Sequence, residues 1–133
     1  MNTFEKLLKL DAAKVNELPT NEIPSKRLAF LLDDEEATVK IHALSSRDIE
    51  YVNEFMTDSN GKINQRRLID SNALICSMAI VEPNVNDPQL ISHFGANDAK
   101  DLCEKLFQME MASIASEVME LSGISTSEDD IKN

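Results

Sequence analysis

The stretch Ala73-Leu74-Ile75-Cys76-Ser77-Met78-Ala79-Ile80-Val81 decides the fold, because apolar residues occupy nearly every side of the helix it would form. Such a segment is predicted to be the central buried helix of a domain. Asn64 is a good cap for that helix, which we expect to run from Gln65 to about Val81. Pro83 then ends it, since proline cannot continue the backbone hydrogen bonding.

Four further helices are predicted around this segment from cap signals and apolar stripes. Ser45, followed three residues later by Asp48, has the pattern of a capping box and starts a helix that reaches about Met56. After the central helix, the predicted helices cover Pro88 to Phe94 behind the cap Asp87, the residues from the cap Asn97 to about Phe107, and about Glu110 to Ser122.

The residues before position 45 show a different pattern. Thr38 to Leu44 is rich in β-branched residues that alternate with polar ones, which predicts a strand. We predict Ser25 to Leu32 as its partner strand, joined to it by the acidic turn Asp33 to Glu36; the alternative is that Leu28 to Leu32 forms a helical turn. The predicted fold class is therefore α+β and mostly helical, with a small N-terminal β-hairpin followed by a bundle of about five helices.

The two ends of the chain differ from the middle. Residues 1–24 are predicted to form an amphipathic arm, capped by Thr3, and a linker that contains Pro19. Residues 25–124 are predicted to form a single globular domain, and the polar, acidic residues 125–133 a disordered tail. The apolar stripe of the arm comprises Phe4, Leu7, Leu8, Ala12 and Val15.

Composition and charge exclude several classes of function. The 133 residues carry a formal net charge of -11, which repels phosphate backbones and disfavours nucleic-acid binding. The chain has no run of about 20 apolar residues, so we expect no membrane span, and its first residues lack the pattern of a secretory signal. Cys76 and Cys103 lie in apolar helical segments, as reduced thiols used for packing do.

Catalytic residues are not evident. His42 is predicted on the polar face of a strand and His93 near a helix C-terminus, where a histidine is electrostatically favoured. The thiols of Cys76 and Cys103 are predicted to be buried, and burial raises a thiol pKa and makes it unreactive. We therefore interpret these cysteines and histidines as packing and surface residues, and predict that the protein is not an enzyme.

The turn around Gly61 superficially resembles a calcium-binding loop. With Gly61 at the sixth position, Asp58 and Asn60 fall on ligand positions, but the first and twelfth positions are Met56 and Arg67. A thioether and a guanidinium cannot replace two carboxylates. We expect a plain turn here, no cofactor and no small-molecule ligand.

Two features indicate a protein partner. Met109 and Met119 lie off the main apolar stripe of the last helices, and methionine adapts to irregular surfaces. The stripe of Phe4, Leu7 and Leu8 on the arm either docks on the domain or is offered to a partner. The candidate partner-binding residues are therefore Phe4, Leu7, Leu8, Met109 and Met119.

The order of several motifs identifies a family resemblance. The motifs are Phe4-Glu5-Lys6-Leu7-Leu8, Ser25-Lys26-Arg27-Leu28, the strand Val39 to Leu44, Val81-Glu82-Pro83-Asn84-Val85-Asn86-Asp87-Pro88-Gln89-Leu90, His93-Phe94-Gly95, and Glu120-Leu121-Ser122-Gly123-Ile124. In this order they resemble the XkdN-like family of phage tail assembly chaperones. The resemblance spans roughly residues 4–124, and its most specific part is Val81 to Leu90.

The resemblance implies a role in making phage tails in the cytoplasm of a bacterial host. Such chaperones bind the long, aggregation-prone tape measure protein, are thought to help bring tail tube subunits onto it, and are absent from the mature virion. The alternative is a small structural component of the tail, such as a tail completion or connector protein. A small acidic regulator or nucleic-acid mimic is a third hypothesis, based on the net charge of -11.

Overall fold

The computed structural model describes residues 1–123, which form a three-stranded antiparallel sheet and seven α-helices. This confirms the α+β, mostly helical class. The tail predicted for residues 125–133 lies outside the described residues. The elements are α1 (Thr3–Leu8), a 3-10 helix (Ala12–Asn16), β1 (Thr20–Pro24), α2 (Lys26–Leu32), β2 (Thr38–His42), α3 (Ser46–Met56), a 3-10 helix (Gln65–Arg67), α4 (Leu68–Ala79), β3 (Ile80–Glu82), α5 (Pro88–His93), α6 (Ala99–Phe107) and α7 (Glu110–Leu121).

Helix α4 is the centre of the core, as its apolar sequence predicts. It packs against α3, α6 and α7. Its buried side chains include Ala73, Leu74, Ile75, Cys76 and Ala79. Because α4 has neighbours on several sides, an all-round apolar surface is what its position requires.

The sheet covers another side of the same core. Its strand order is β1-β2-β3, with β2 antiparallel to both neighbours. The side chains of Val39 and Ile41 on β2 are completely buried, whereas Lys40 between them is exposed. This alternation confirms the strand predicted over these residues.

The predicted partner strand, Ser25 to Leu32, is wrong, because these residues form helix α2. The Ser25 hydroxyl accepts a hydrogen bond from the Leu28 amide at 3.1 Å and so caps the helix. Asp33 ends it in the left-handed conformation, with φ 53°. The alternative of a helical turn over Leu28 to Leu32 is the correct one.

The true partner of β2 is β1, which lies within the segment interpreted as a linker. Thr20 pairs with His42 and Ile23 with Val39. Pro24 tolerates this position because it stands at the end of an edge strand, where a missing N–H costs little. The linker interpretation is therefore wrong for residues 20–24, while the division of the chain into an arm, a domain and a tail stays a prediction.

The central helix is shorter at both ends than predicted. Its first residues form the 3-10 helix Gln65–Arg67, and its last residues leave the helix as β3. Ile80 pairs with Ile41 and Glu82 with Lys40. The residue before a proline avoids the helical region, so Glu82 is extended and the helix ends early.

The arm is also less regular than predicted. Helix α1 is capped by Asn2 instead of Thr3 and ends at Leu8. Asp11 then caps the 3-10 helix by accepting a hydrogen bond from the Ala13 amide at 3.1 Å. A competing cap in mid-segment thus divides the predicted single helix in two.

The remaining helices are confirmed. The capping box of Ser45 and Asp48 is present at the start of α3. Helix α5 starts with Asp87 as its cap and Pro88 in its first turn. Only the cap of α6 differs, because Asp98 takes the place predicted for Asn97.

Candidate partner-binding surface

Residues 1–18, which we call the arm, bury none of their side chains. Phe4, Leu7 and Leu8 are 69%, 60% and 70% exposed. Val15, the last member of the predicted stripe, is exposed as well. The structure therefore places the three candidate residues of the arm together on α1 with their apolar surface uncovered.

The two candidate methionines differ. Met109, in the turn between α6 and α7, is 86% exposed. Met119, near the other end of α7, is half-buried and packs against the core. Since α7 rises about 1.5 Å per residue, some 15 Å separate the two positions along the helix. They belong to different parts of the surface.

Met109 lies at a shallow apolar groove of about 180 Å³. The first turns of α4 form one wall, and the end of α6 with the start of α7 forms the other. We call this site the Met109 groove. Its lining residues are Leu68, Ile69, Asn72, Glu104, Gln108, Met109, Met111 and Ala112.

Sequence reasoning missed two exposed members of this groove, Leu68 and Ile69. Both are about half exposed, although they lie on the helix whose later residues form the core. Asp70 beside them is exposed as well, which is the signal that this end of the helix leaves the core. Apolar and charged residues are mixed at the start of α4, whereas its later residues are almost all apolar. This change in the sequence could have indicated that Leu68 and Ile69 lie at the surface.

A second, more open groove shares Gln108 and Met109 with the first. Its outer wall is α2, with Phe30 as an exposed apolar residue. The Arg27 guanidinium lies 5.7 Å from the centre of the Phe30 ring, a cation–π distance. The exposed apolar surface therefore continues from Ile69 across Met109 toward Phe30.

The turn that presents Met109 is strained. Gln108 has φ 52° and ψ -131°, a conformation that glycine adopts readily and other residues avoid. The Gln108 amide still donates to the Glu104 carbonyl at 3.0 Å, which ends α6. Strain of this kind persists only where neighbouring packing imposes it, and here buried Phe107 and Met111 flank the turn.

The Ser25-Lys26-Arg27 motif holds the wall formed by α2 in place. The Ser25 hydroxyl donates to one carboxylate oxygen of Glu110, and the Arg27 amide donates to the other at 3.1 Å. The Arg27 side chain donates through Nε to the carbonyl of Leu106, also at 3.1 Å. The motif thus ties α2 to the turn between α6 and α7, which carries Met109.

The Val81 to Leu90 motif has a structural role, as its helix-stop and helix-start signals predict. Val85 is completely buried. The Asn86 side chain donates to the Ser77 carbonyl at 3.0 Å and so ties the loop to the end of α4. Asp87 caps α5. These contacts shape the loop between α4 and α5.

The two thiols are buried packing groups. Desolvation by burial raises the pKa of both, for Cys103 to about 12. Neither is paired in a disulfide. Thiols held protonated in this way are poor nucleophiles.

The two histidines contact their neighbours in the chain. His42 lies with Nδ1 2.6 Å from the Ala43 carbonyl, and the His93 ring packs edge-on against Phe94. Within residues 1–123, no three His, Cys, Asp or Glu side chains are grouped closely enough to hold a metal ion. In the same range, no helix has the length and apolar character required to cross a membrane.

Comparison with solved structures supports the fold. The crystal structure of the protein YqbN, a structural genomics target, is similar with a TM-score of 0.61 and 14% sequence identity. The match covers 82% of this chain and 88% of that chain. No curated protein matches this sequence.

Comparison with protein families is more specific. The family model described as phage XkdN-like tail assembly chaperone protein matches residues 4–133. The matched range contains every motif on which the sequence resemblance rests. This protein therefore belongs to the family of XkdN-like phage tail assembly chaperones.

Proposed function

We propose that this chaperone binds the tape measure protein of its phage, keeps it soluble while the tail tube assembles around it, and leaves before the virion is complete. The observation that carries the proposal is that two regions expose apolar side chains, the arm and the Met109 groove. Exposed apolar patches on a small protein are typical of protein-binding sites.

The chemistry of this surface suits a helical client. An amphipathic helix places its apolar residues on one stripe, which a groove between helices can accept. Ile69 and Leu68 on one wall and Met109 on the other provide apolar contacts. Met109 adds an adaptable thioether, which tolerates clients of varied shape.

The arm provides a second contact for the same client. Phe4, Leu7 and Leu8 present an apolar face that makes no contribution to the buried core. A client can therefore bind them without displacing any core residue. Met119 is the weakest of the candidate residues, because part of its side chain already packs in the domain.

The proposed cycle takes place in the cytoplasm of the bacterial host, where tails are assembled, and the tail tube protein is a second candidate partner. No nucleic acid, membrane or cofactor is required. Because the protein acts by binding and release, the proposal assigns it no catalytic residue.

Co-expression with the tape measure protein of the same phage tests the client. The parent chain should keep the tape measure protein soluble and be recovered with it in a pull-down. Ile69→Glu with Met109→Glu should reduce the recovery strongly, because each change places a charge in an apolar contact. The matched control is Ile63→Glu, an exposed isoleucine outside the groove.

Circular dichroism of each variant alone confirms that it is folded. If the groove variant and an arm variant, Leu7→Glu with Leu8→Glu, both retain the client as well as the parent, the surface assignment is wrong. Met109→Glu with Met119→Glu tests the two methionines in the same assay.

Mass spectrometry of purified virions tests the second half of the proposal. A chaperone that leaves before completion should be absent from virions and present in infected cells. Its presence in virions at a fixed ratio to tail proteins would instead identify a structural component of the tail.

A further inference from the structure

Helix α2 exposes apolar side chains although it belongs to the folded domain. Leu28 is buried in the core, whereas Phe30, Leu31 and Leu32 are 76%, 44% and 64% exposed. Adjacent exposed apolar side chains on a small protein are typical of a binding surface. The outer side of α2 is therefore a candidate contact surface.

The two ends of this surface carry opposite charge. Lys26 and Arg27 begin α2, and four consecutive exposed acids, Asp33 to Glu36, follow its last residue. Glu110 also lines the groove beside the two bases. Two bases and one acid therefore stand at one end of the surface, and the turn at the other end consists of four acids and no base. Such a surface selects a partner whose charges run in the opposite order.

This order of charges is the reverse of the one that a helix favours. The helix dipole favours acids at the N-terminus and bases at the C-terminus. Helix α2 instead has Lys26 in its first turn and the acidic turn at its end. The Asp34 amide donates to the Ala29 carbonyl at 3.0 Å, which holds the acidic turn against the helix. An oppositely oriented helix would provide the charges that α2 lacks at each end.

A second copy of α2 has this complementary order when it runs antiparallel to the first. The pattern of bases, apolar residues and acids from Lys26 to Glu35 is symmetric about the point between Phe30 and Leu31. A two-fold axis at this point brings Lys26 of one copy opposite Glu35 of the other. The acids of each copy then lie at the N-terminus of the other helix, where its dipole favours them.

The arm of the same molecule matches this surface less well. Its 18 residues are long enough to reach α2, since an extended chain spans about 3.3 Å per residue. However, residues 1–18 contain three lysines and three acids, which alternate in sign along the arm instead of being separated. Charge complementarity therefore favours the second copy of α2 over the arm.

We propose that α2 pairs antiparallel with α2 of a second copy of this chain and forms a symmetric dimer. Phe30 and Leu31 pack at its centre, and opposite charges meet at both ends of the pair. The contact is small, so the dimer should be weak and reversible. The proposal does not depend on which client the protein binds.

Sedimentation equilibrium of the full chain from micromolar to millimolar concentration tests the proposal. At about 0.15 M salt, repulsion between two acidic molecules is screened beyond about 8 Å, whereas charges in contact still interact. The parent should show a monomer–dimer equilibrium. Phe30→Ala with Leu31→Ala should weaken the dimer by about tenfold or more, as loss of a central apolar contact does.

The matched control is Tyr51→Ala with Ile63→Ala. Both residues have large exposed side chains, and neither belongs to α2. This variant should dimerise like the parent, because it removes a similar apolar surface elsewhere on the molecule.

Charge reversal tests the antiparallel orientation. Lys26→Glu and Glu35→Lys each place like charges opposite each other at both ends of the pair, and each should weaken the dimer. The expected loss is about twofold to fivefold for each exposed ion pair. Both changes agree with the helix dipole, so each variant should remain folded by circular dichroism.

A one-to-one mixture of the two charge variants is the sharpest arm of the test. In the mixed dimer the introduced glutamate faces the introduced lysine, and the original Lys26 faces the original Glu35. The mixture should therefore dimerise about as well as the parent, although each variant alone does not. A single chain with both changes should also recover, because its charges again complement each other.

Three results would overturn the proposal. One is a chain that remains monomeric at every concentration, which is also the result if the arm of the same molecule covers α2. Another is a dimer that the Phe30 and Leu31 variant does not weaken. The third is a mixture of the charge variants that dimerises no better than either variant alone, which would exclude the antiparallel pairing.

Discussion

Helices α1 and α4 are both rich in apolar residues, yet α1 buries none of its side chains and α4 buries half of them. The difference lies in their neighbours. Helix α4 packs against α3, α6 and α7, whereas α1 has no packing partner of comparable extent among the described elements. An apolar stripe therefore indicates a surface that needs a partner, and the rest of the fold determines whether that partner is internal.

The largest effect is expected from a comparison of the buried part of α4 with its exposed start. Ile75→Asp places a charge in the core, because only 5% of the Ile75 side chain is exposed, and should cost several kcal/mol of about 5–15 available. Ile69→Asp in the same helix replaces a side chain that is 56% exposed, and should change stability by no more than about 0.5 kcal/mol. Urea unfolding and the soluble yield measure both.

Ile80→Asp extends this comparison to the start of β3, where the side chain is also buried. It should lower the free energy of unfolding by several kcal/mol, as Ile75→Asp does. Soluble protein with cooperative unfolding from both Ile75→Asp and Ile80→Asp would show that α4 and β3 do not form the centre of the core.

A smaller effect on stability is expected from a comparison of two helix caps, Ser25 and Asp11. Ser25→Ala removes the cap of α2 and a hydrogen-bond partner of Glu110 in a partly buried setting, which should cost about 1–3 kcal/mol. Asp11→Ala removes a cap in the arm, where no packing depends on it. The second change should leave the melting curve of the domain unaltered, and an equal loss from both would contradict the division between arm and domain.

A stabilising change is expected at the strained turn. Gln108→Gly should raise the free energy of unfolding by about 1 kcal/mol, since it relieves a positive φ that costs about 1–3 kcal/mol and adds a smaller entropic penalty. Asp33→Gly at the end of α2 provides the comparison. Its φ of 53° and ψ of 46° are in the left-handed region that aspartate tolerates, so the gain there should be smaller.

The smallest effect on stability concerns the arm itself. Phe4→Ala with Leu7→Ala and Leu8→Ala should change the free energy of unfolding of the isolated monomer by less than about 0.5 kcal/mol. The reason is that these residues lie outside the core. Thermal melts at low concentration measure it, and a loss of several degrees would show that the arm packs on its own domain.

Periodicity and capping residues predicted most of the helices. The capping box at Ser45 and the Asp87-Pro88 start are local signals, and both were sufficient to place α3 and α5. The apolar run Ala73 to Val81 identified the central helix, although its last two residues belong to β3. Family membership was also recognisable from the order of the motifs.

The first half of the sheet could not be predicted in the same way. Residues 20–24 contain asparagine and proline, which are typical of loops, and they become a strand only because β2 provides hydrogen-bond partners. Residues 26–32 are apolar enough for either structure, and the Ser25 cap decides for the helix. Both errors arise where tertiary context outweighs local preference.

The candidate surface was predicted in part. Phe4, Leu7, Leu8 and Met109 are exposed, but nothing in the local pattern indicated that Met109 would meet Leu68 and Ile69 across a groove. That arrangement depends on where the fold places the start of α4 relative to the turn between α6 and α7. Their role in binding remains a prediction.

The contacts of Ser25 and Arg27 also have a consequence for the order in which the chain folds during synthesis. Their partners, Leu106 and Glu110, follow them by about 80 residues. During synthesis, α2 therefore cannot form these hydrogen bonds until α6 and the start of α7 have left the ribosome. Contacts between residues so distant in sequence require both partners to be present. Residues 1–18 make no hydrogen bond with α6 or α7, so the arm does not depend on these helices in the way that α2 does.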